Sequence, residues 1–270
     1  MTNNVLSIIY SPIKVNKIKE IVQTCDQHTL VIWDVDGVFL IGTDRIFHSE
    51  NLYDGLVDQY VDHVVTKYAL TQEKKEWFIS QLFIHRPIKL VDDSMPDLIK
   101  ELKIKKIKNI ALTHCFVGAL GSIKSVADWR INELSKLGIK FDFAFQNINE
   151  IELKDLDKVD GYYPLYKQGI LFCLKQAKGE ALGTFLDQIK WYPKKIIFVD
   201  DKMVNLEAVQ AELKQRNIDF IGLHYTGALD LPSKINEEVV KFQYEHLMEQ
   251  GEWLDDQKVL QLFIKNERLL

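Results

Sequence analysis

The sequence predicts an α/β protein built on a mainly parallel sheet, and three observations carry that prediction. Short apolar runs such as Leu30-Val31-Ile32 and Ile196-Ile197-Phe198-Val199 have the length and character of strands buried on both faces. Between such runs lie longer stretches with apolar residues three and four apart, the pattern of helices packed by one face. Strands alternating with helices imply parallel neighbours and right-handed crossovers. Finally, both runs end in paired acids, Asp34/Asp36 and Asp200/Asp201. In open sheets of this kind ligands bind just beyond the carboxyl ends of the strands. Two acids held there repel each other unless a cation or a proton sits between them.

The 270 residues suffice for one elaborated domain or a domain with an insertion. A hydrophobic share of 47% and a charged share of 27% are ordinary for a globular protein. The net charge of −5 argues against a general nucleic-acid binder, which would carry a basic face. Cys25, Cys115 and Cys173 are odd in number and widely spaced, so they form neither a disulfide framework nor a zinc site. They are expected to be small buried residues in a reducing compartment. Residues 1–10 lack a basic segment followed by an apolar core, and no apolar run reaches 18 residues. The expected location is therefore the cytoplasm, with no membrane partner.

Val15, Ile18, Ile21 and Val22 predict a helix ahead of a first strand over residues 29–34. The apolar stretch 38–43 after Gly37 suggests a short hairpin or flap. Leu52, Leu56, Tyr60, Val64 and Tyr68 recur every four residues and predict a helix, and Thr71 is placed to cap a second one. Residues 45–86 thus read as a small helical cap inserted between two strands, with residues 1–44 and 87–270 as the core. The aromatic residues of the insertion are expected to pack, and substrate choice is expected to depend on its shape.

Ser94-Met95-Pro96-Asp97 resembles a capping box. The lysine-rich turn 103–108 reads as a solvated surface. A strand over 109–112 ends at Thr113-His114, a helix is expected over 122–137 with Gly138 closing it, and another strand around 141–145. Lys167-Gln168-Gly169 marks a hairpin. Lys178-Gly179 precedes a further helix, in the crossover that leads to the next strand. The strand 195–199 runs into Asp200-Asp201, Asn205 is placed to cap the following helix, and a strand spans 220–225. Two C-terminal helices follow, with caps near Ser233 and Asp255.

Neighbouring parallel strands lie about 4.8 Å apart, so Asp34/Asp36, Thr113 and Asp200/Asp201 can converge, with Lys178 close by. Several carboxylates together call for a divalent cation, and an all-oxygen donor set suits Mg²⁺ rather than zinc. Bare alternatives stand beside this reading: Asp200 and Asp201 as helix-capping acids, and Lys167 or Lys175 as the site lysine. No Gly-x-Ser-x-Gly, P-loop or Gly-x-Gly-x-x-Gly motif competes with it.

Asp34-Val35-Asp36-Gly37-Val38, Leu112-Thr113-His114, Lys178-Gly179 and Val199-Asp200-Asp201, in this order, resemble the four motifs of the haloacid dehalogenase (HAD)-like superfamily. Gly169-Ile170-Leu171-Phe172, Tyr225-Thr226-Gly227 and Trp253-Leu254-Asp255-Asp256 resemble an uncharacterised bacterial subgroup of it. The resemblance implies a Rossmannoid three-layer sandwich and Mg²⁺-dependent hydrolysis of a phosphate monoester, small or macromolecular. Asp34 would be the nucleophile and a metal ligand. Asp36 would move protons and lend its carbonyl to the metal. Thr113 would hold phosphoryl oxygens beside a substrate contact from His114, Lys178 would neutralise charge, and Asp200 and Asp201 would complete the metal site, oriented by Asn205. A phosphotransferase would use the same residues. The alternative from another class is a catalytically weak binding protein acting on a partner or host protein.

Overall fold

The computed structural model describes residues 6–267. In chain order the elements are β1 (Ser7–Ile13), α1 (Val15–Gln23), β2 (Thr29–Trp33), β3 (Leu40–Gly42), α2 (Ser49–Tyr53), α3 (Leu56–Lys67), α4 (Gln72–His85), β4 (Ile88–Leu90), α5 (Met95–Ile104), β5 (Lys108–Thr113), α6 (Val126–Lys136) and β6 (Glu150–Glu152). They continue with β7 (Leu165–Lys167), β8 (Ile170–Phe172), α7 (Lys178–Ile189), β9 (Lys195–Asp200), α8 (Met203–Gln215), β10 (Asp219–Tyr225), α9 (Glu237–Gln250) and α10 (Asp256–Glu267). Part of the N-terminal stretch read for a signal peptide, residues 1–5, lies outside the described residues.

The chain divides into two compact units. The first holds the described residues up to Phe39, Leu90–Gly118 and Ser125–Ala228; the second holds Leu40–Lys89, Ala119–Lys124 and the described residues from Leu229 onward.

The first unit is an α/β fold around an eight-stranded sheet of order β1-β10-β9-β2-β5-β8-β7-β6, flanked by helices. From β1 to β8 every pairing is parallel, and the pairs β8–β7 and β7–β6 are antiparallel. β2 lies centrally and every one of its residues is buried. That is why it is wholly apolar after Thr29: both faces meet other layers, so no position alternates with solvent. Leu30, Ile32, Ile110, Phe198, Leu182 and Leu206 belong to one buried cluster. Each such side chain contributes about 1.5–3 kcal/mol on leaving water. α7 packs closely on α8, since a Cβ added to Gly179 would lie 2.3 Å from the Ala208 carbonyl oxygen.

The second unit packs α3, α4 and α9 around Val64, Phe78, Tyr244 and Leu247. Trp253 joins this core and its indole N–H donates to Asp44 Oδ2 at 2.7 Å.

Several local expectations need correction. β1 is a strand that the sequence pattern does not predict. Residues 141–145 form a turn, closed by the Ala144 N–H on the Phe141 carbonyl, rather than a strand. Phe145 there packs against Tyr166, Phe185 and Trp191, so the aromatic spacing serves the core and not a ladder. The helix expected from residue 52 is two helices, separated at Asp54-Gly55. α6 begins at Val126, where Ser125 accepts from the Asp128 N–H, and not at Ser122. Ser94 does not cap through its side chain; its hydroxyl and N–H both turn to Asp92 Oδ1. Asn236, not Ser233, caps α9. Cys173 is buried, whereas Cys25 and Cys115 are only partly so. Thr71 caps α4 and Asp255 accepts from the Lys258 N–H at the start of α10, as the sequence suggests.

Candidate active site

All the site residues expected from the sequence belong to the first unit. Trp33, the last residue of β2, pairs with Val199 of β9 on one side and Ala111 of β5 on the other. One step further, Asp34 emerges level with Asp200, and its N–H donates to the Val199 carbonyl at 2.8 Å. Thr113, the buried last residue of β5, emerges two steps past Ala111. The parallel register therefore delivers the polar groups to one edge of the sheet.

Asp34, Asp200 and Asp201 are buried, and each offers a carboxylate oxygen within 4.8 Å of the others. Lys178, the first residue of α7, is 1% exposed and lies between two of them. Its Nζ is 2.7 Å from Asp34 Oδ1 and 2.8 Å from Asp200 Oδ2. Lys167 pairs instead with Asp128 and Glu150, and Lys175 with Asp160, so Lys178 is the lysine at this cluster. It is the first residue of α7 rather than a residue preceding that helix, and α7 is the crossover that leads into β9.

Asn205 does not cap α8, which begins at Met203. Its amide donates to both oxygens of Asp200, at 3.0 and 3.1 Å, while the Lys202 N–H donates to Asp200 Oδ1 at 2.8 Å. With Lys178 Nζ, three donor groups fix Asp200. Asp201 lies against the turn after β2: a Cβ on Gly37, whose φ is +81°, would sit 2.0 Å from Asp201 Oδ2. Only glycine meets both the positive φ and this close approach.

Burial raises the Asp34 carboxyl well above the ordinary carboxylate range, against the pull of Lys178, and Asp200 and Asp201 add to the rise. Burial alone would lower the Lys178 ammonium, but Asp200 and Asp34 outweigh it and hold the pKa above its usual value. Ionised, three carboxylates and one ammonium leave a net charge of −2 in a dry place. Such a deficit is costly without a counter-ion. An all-oxygen donor set with this deficit fits a hard divalent cation.

Asp36 stands apart from the cluster. It is held by Arg130, whose Nη1 is 3.3 Å from Asp36 Oδ1 and whose Nη2 donates to Oδ2 at 3.3 Å. Arg130 is itself buried and also pairs with Glu133 at 2.6 Å. The sequence alone does not single out this arginine. Its signal is positional: Arg130 falls on the same face of α6 as the buried Val126, Ala127 and Leu134. His114 offers Nδ1 to the Leu174 carbonyl at 2.8 Å. Partial burial and the Lys178 charge hold its pKa below the usual histidine value.

The family described as "Protein of unknown function (DUF2608)" matches residues 13–260. An uncharacterised protein of Rickettsia prowazekii (strain Madrid E) is 23% identical over 249 residues, covering 92% of this chain and 88% of the relative. An uncharacterised protein of Rickettsia felis is 29% identical over 162 residues, covering 58% of this chain and 55% of the relative. A protein of Chlamydia trachomatis named "Putative outer membrane protein" is 26% identical over 228 residues, covering 81% of this chain and 77% of the relative. No solved structure matches. Among the described residues no helix is long and apolar enough to cross a membrane. These findings correct the resemblance drawn from the four short motifs: no haloacid dehalogenase family matches. Acids and a hydroxyl at strand ends reflect what the carboxyl edge of a parallel sheet is used for, and a handful of such residues does not identify a family.

Proposed function

Because the chain belongs to the DUF2608 family of unknown function, we propose an activity from its own site: divalent-cation-dependent hydrolysis of a phosphate monoester through a phosphoryl group carried on Asp34. The observation behind it is the convergence of Asp34, Asp200 and Asp201 around the buried ammonium of Lys178. Few reactions other than handling a phosphoryl group need a buried carboxylate, a buried cation and a cation-binding acid pair in one place.

Asp34 is the nucleophile. Its Oδ1 is engaged by Lys178, which leaves Oδ2 to attack phosphorus. Asp36 moves the protons: to the departing alcohol oxygen, then from the water that hydrolyses the acyl phosphate. Arg130 fixes the position of Asp36 through both of its oxygens. Thr113 and, at the mouth, His114 contact the phosphoryl group or the substrate beyond it. Lys178 offsets the charge gathered on Asp34 and the phosphoryl oxygens. Asp34, Asp200, Asp201 and the Asp36 carbonyl would hold Mg²⁺, which when bound supplies the positive charge that lets two anions approach.

The finer architecture belongs to this proposal as well: a Rossmannoid three-layer core, with residues 45–86 inserted in the chain between β2 and β5. So do action in the cytoplasm and the absence of a nucleic-acid or membrane partner. The test is turnover of an aryl phosphate with Mg²⁺, with EDTA, and by Asp34→Asn. Metal-dependent turnover that Asp34→Asn abolishes supports the reading. Lack of turnover on a broad panel of phosphate monoesters sinks it in favour of a binding role.

A further inference from the structure

The second unit contains a cavity of about 460 Å³ that plays no part in the site above. All its lining residues belong to that unit. The volume lies in the range of small-molecule sites. Pro87, Pro232, Ile235, Val239 and Leu260 give the lining hydrocarbon surface. Asp44, Asp255 and Asp256 give it carboxylates.

The polar groups of this wall are mostly acceptors. Asp44 is 3% exposed and accepts from the Trp253 indole at 2.7 Å and from the Asp256 N–H at 3.0 Å, both neutral donors. Asp256 takes neutral donors too, the Gln243 amide at 3.0 Å and the Arg45 backbone N–H at 3.3 Å. The guanidinium of Arg45, the only cationic side chain among the lining residues, donates to the Lys234 carbonyl at 3.0 Å. His48, 5% exposed, faces the Pro232 carbonyl through Nδ1 at 2.8 Å. A carbonyl only accepts, so Nδ1 carries a proton, and in the neutral ring Nε2 is then a lone-pair acceptor. That Nε2 is buried with no hydrogen-bond partner among the described residues. A buried acceptor left unmatched costs about 1–3 kcal/mol.

We propose that this cavity binds a small organic cation, an amine whose ammonium meets the carboxylates and His48 and whose hydrocarbon body lies on the apolar wall. Anionic ligands are repelled by three acids. Asp255 already has Lys258 Nζ at 3.6 Å, in an exposed pair, so a neutral ligand of the same shape gains the apolar contact but leaves Asp44 and Asp256 with neutral donors alone. Burial pushes the Asp44 carboxyl above its ordinary value and the Asp256 and Asp255 charges push it further, a state that a bound cation relieves.

The test is calorimetric titration and thermal unfolding of the full chain with phenethylamine and 1,5-diaminopentane, against 2-phenylethanol and phenylacetate. We expect an amine to bind and to raise the unfolding temperature, with the alcohol about tenfold weaker and the carboxylate weaker still, because a charge-assisted bond is roughly twice as strong as a neutral one. Leu260→Arg places a competing cation in a half-exposed wall position and abolishes amine binding. Asp255→Ser keeps a cap for α10 and weakens amine binding several-fold through loss of charge. Absence of binding by both amines overturns the proposal, as does equal affinity for amine and alcohol. Binding unchanged in both variants overturns it equally.

Discussion

Lys178 Nζ lies 2.7 Å from Asp34 Oδ1, with both residues buried. The proposed nucleophile is thus paired with a cation before any substrate arrives. The same ammonium reaches Asp200 on the neighbouring strand at 2.8 Å. One side chain from α7 therefore ties together the carboxyl ends of β2 and β9, which would otherwise present carboxylates to each other.

Removing that ammonium is expected to be costly twice over. Lys178→Met keeps the volume but leaves Asp34 and Asp200 buried with no cation between them. Breaking a buried pair in this way costs about 3–5 kcal/mol, read as a lower urea midpoint at unchanged slope. Added Mg²⁺ should recover part of the loss, and turnover should stay absent. A midpoint equal to that of the unchanged protein would mean that the acids are protonated rather than paired.

A cation that binds only the folded protein must stabilise it. At a Mg²⁺ concentration a hundredfold above its Kd the gain is about 2.7 kcal/mol, visible as a higher unfolding temperature that EDTA reverses. Asp200→Asn and Asp201→Asn should lose most of this shift. Asp36→Ala should keep it, because the backbone carbonyl remains, while losing turnover. An equal shift in all three variants would place the ion elsewhere.

Arg130 connects two acids that the sequence does not link. Arg130→Met takes away the 2.6 Å partner of Glu133, whose side chain is 9% exposed, and both contacts to Asp36. The expected cost is about 3 kcal/mol, measured by denaturant unfolding. Arg130→Lys keeps the charge and most of the stability but cannot grip two carboxylate oxygens at once. In that variant turnover should fall about a hundredfold through misplacement of Asp36, with KM little changed. Full turnover by Arg130→Lys would remove Arg130 from any positioning role.

What the sequence revealed and what it hid follow from how local each signal is. β2 and β9 are buried on both faces, so their apolar runs are plain in the sequence, and the acids beyond them mark the edge where the site lies. The β7–β8 hairpin announces itself through Gln168-Gly169, both of positive φ. β1 gave no such signal. It is an edge strand with exposed Ile8 and Tyr10, and it forms by pairing with β10, more than 200 residues away. Asn205 looked like a helix cap because the same residue type serves both tasks; only the tertiary position of Asp200 decides between them. Arg130 was hidden for a related reason. An arginine in a helix is ordinary, and its burial depends on acids supplied by Asp36 and Glu133.

The far end of the helix that carries Lys178 is anchored by a second ion pair. Asp187 of α7 accepts two hydrogen bonds from Arg216, at 2.7 and 2.8 Å, and Arg216 also holds Glu212 of α8 at 2.7 Å. The Arg216 hydrogen bonds lower the Asp187 carboxyl below its ordinary value of 3.8. A depressed acid stabilises the fold above its unfolded pKa, and that stabilisation is lost as pH falls through the folded pKa. The Asp187 side chain is 50% exposed, so solvent screens the pair and the contribution is about 0.5 kcal/mol. Asp187→Asn should therefore lower stability slightly at pH 7, and the difference should shrink in high salt. Below the folded pKa of Asp187 the two proteins should unfold alike. Paired urea titrations across the acid range check this, and a gap between the two curves that stays constant down to the lowest pH would show that the contact acts through packing instead of charge.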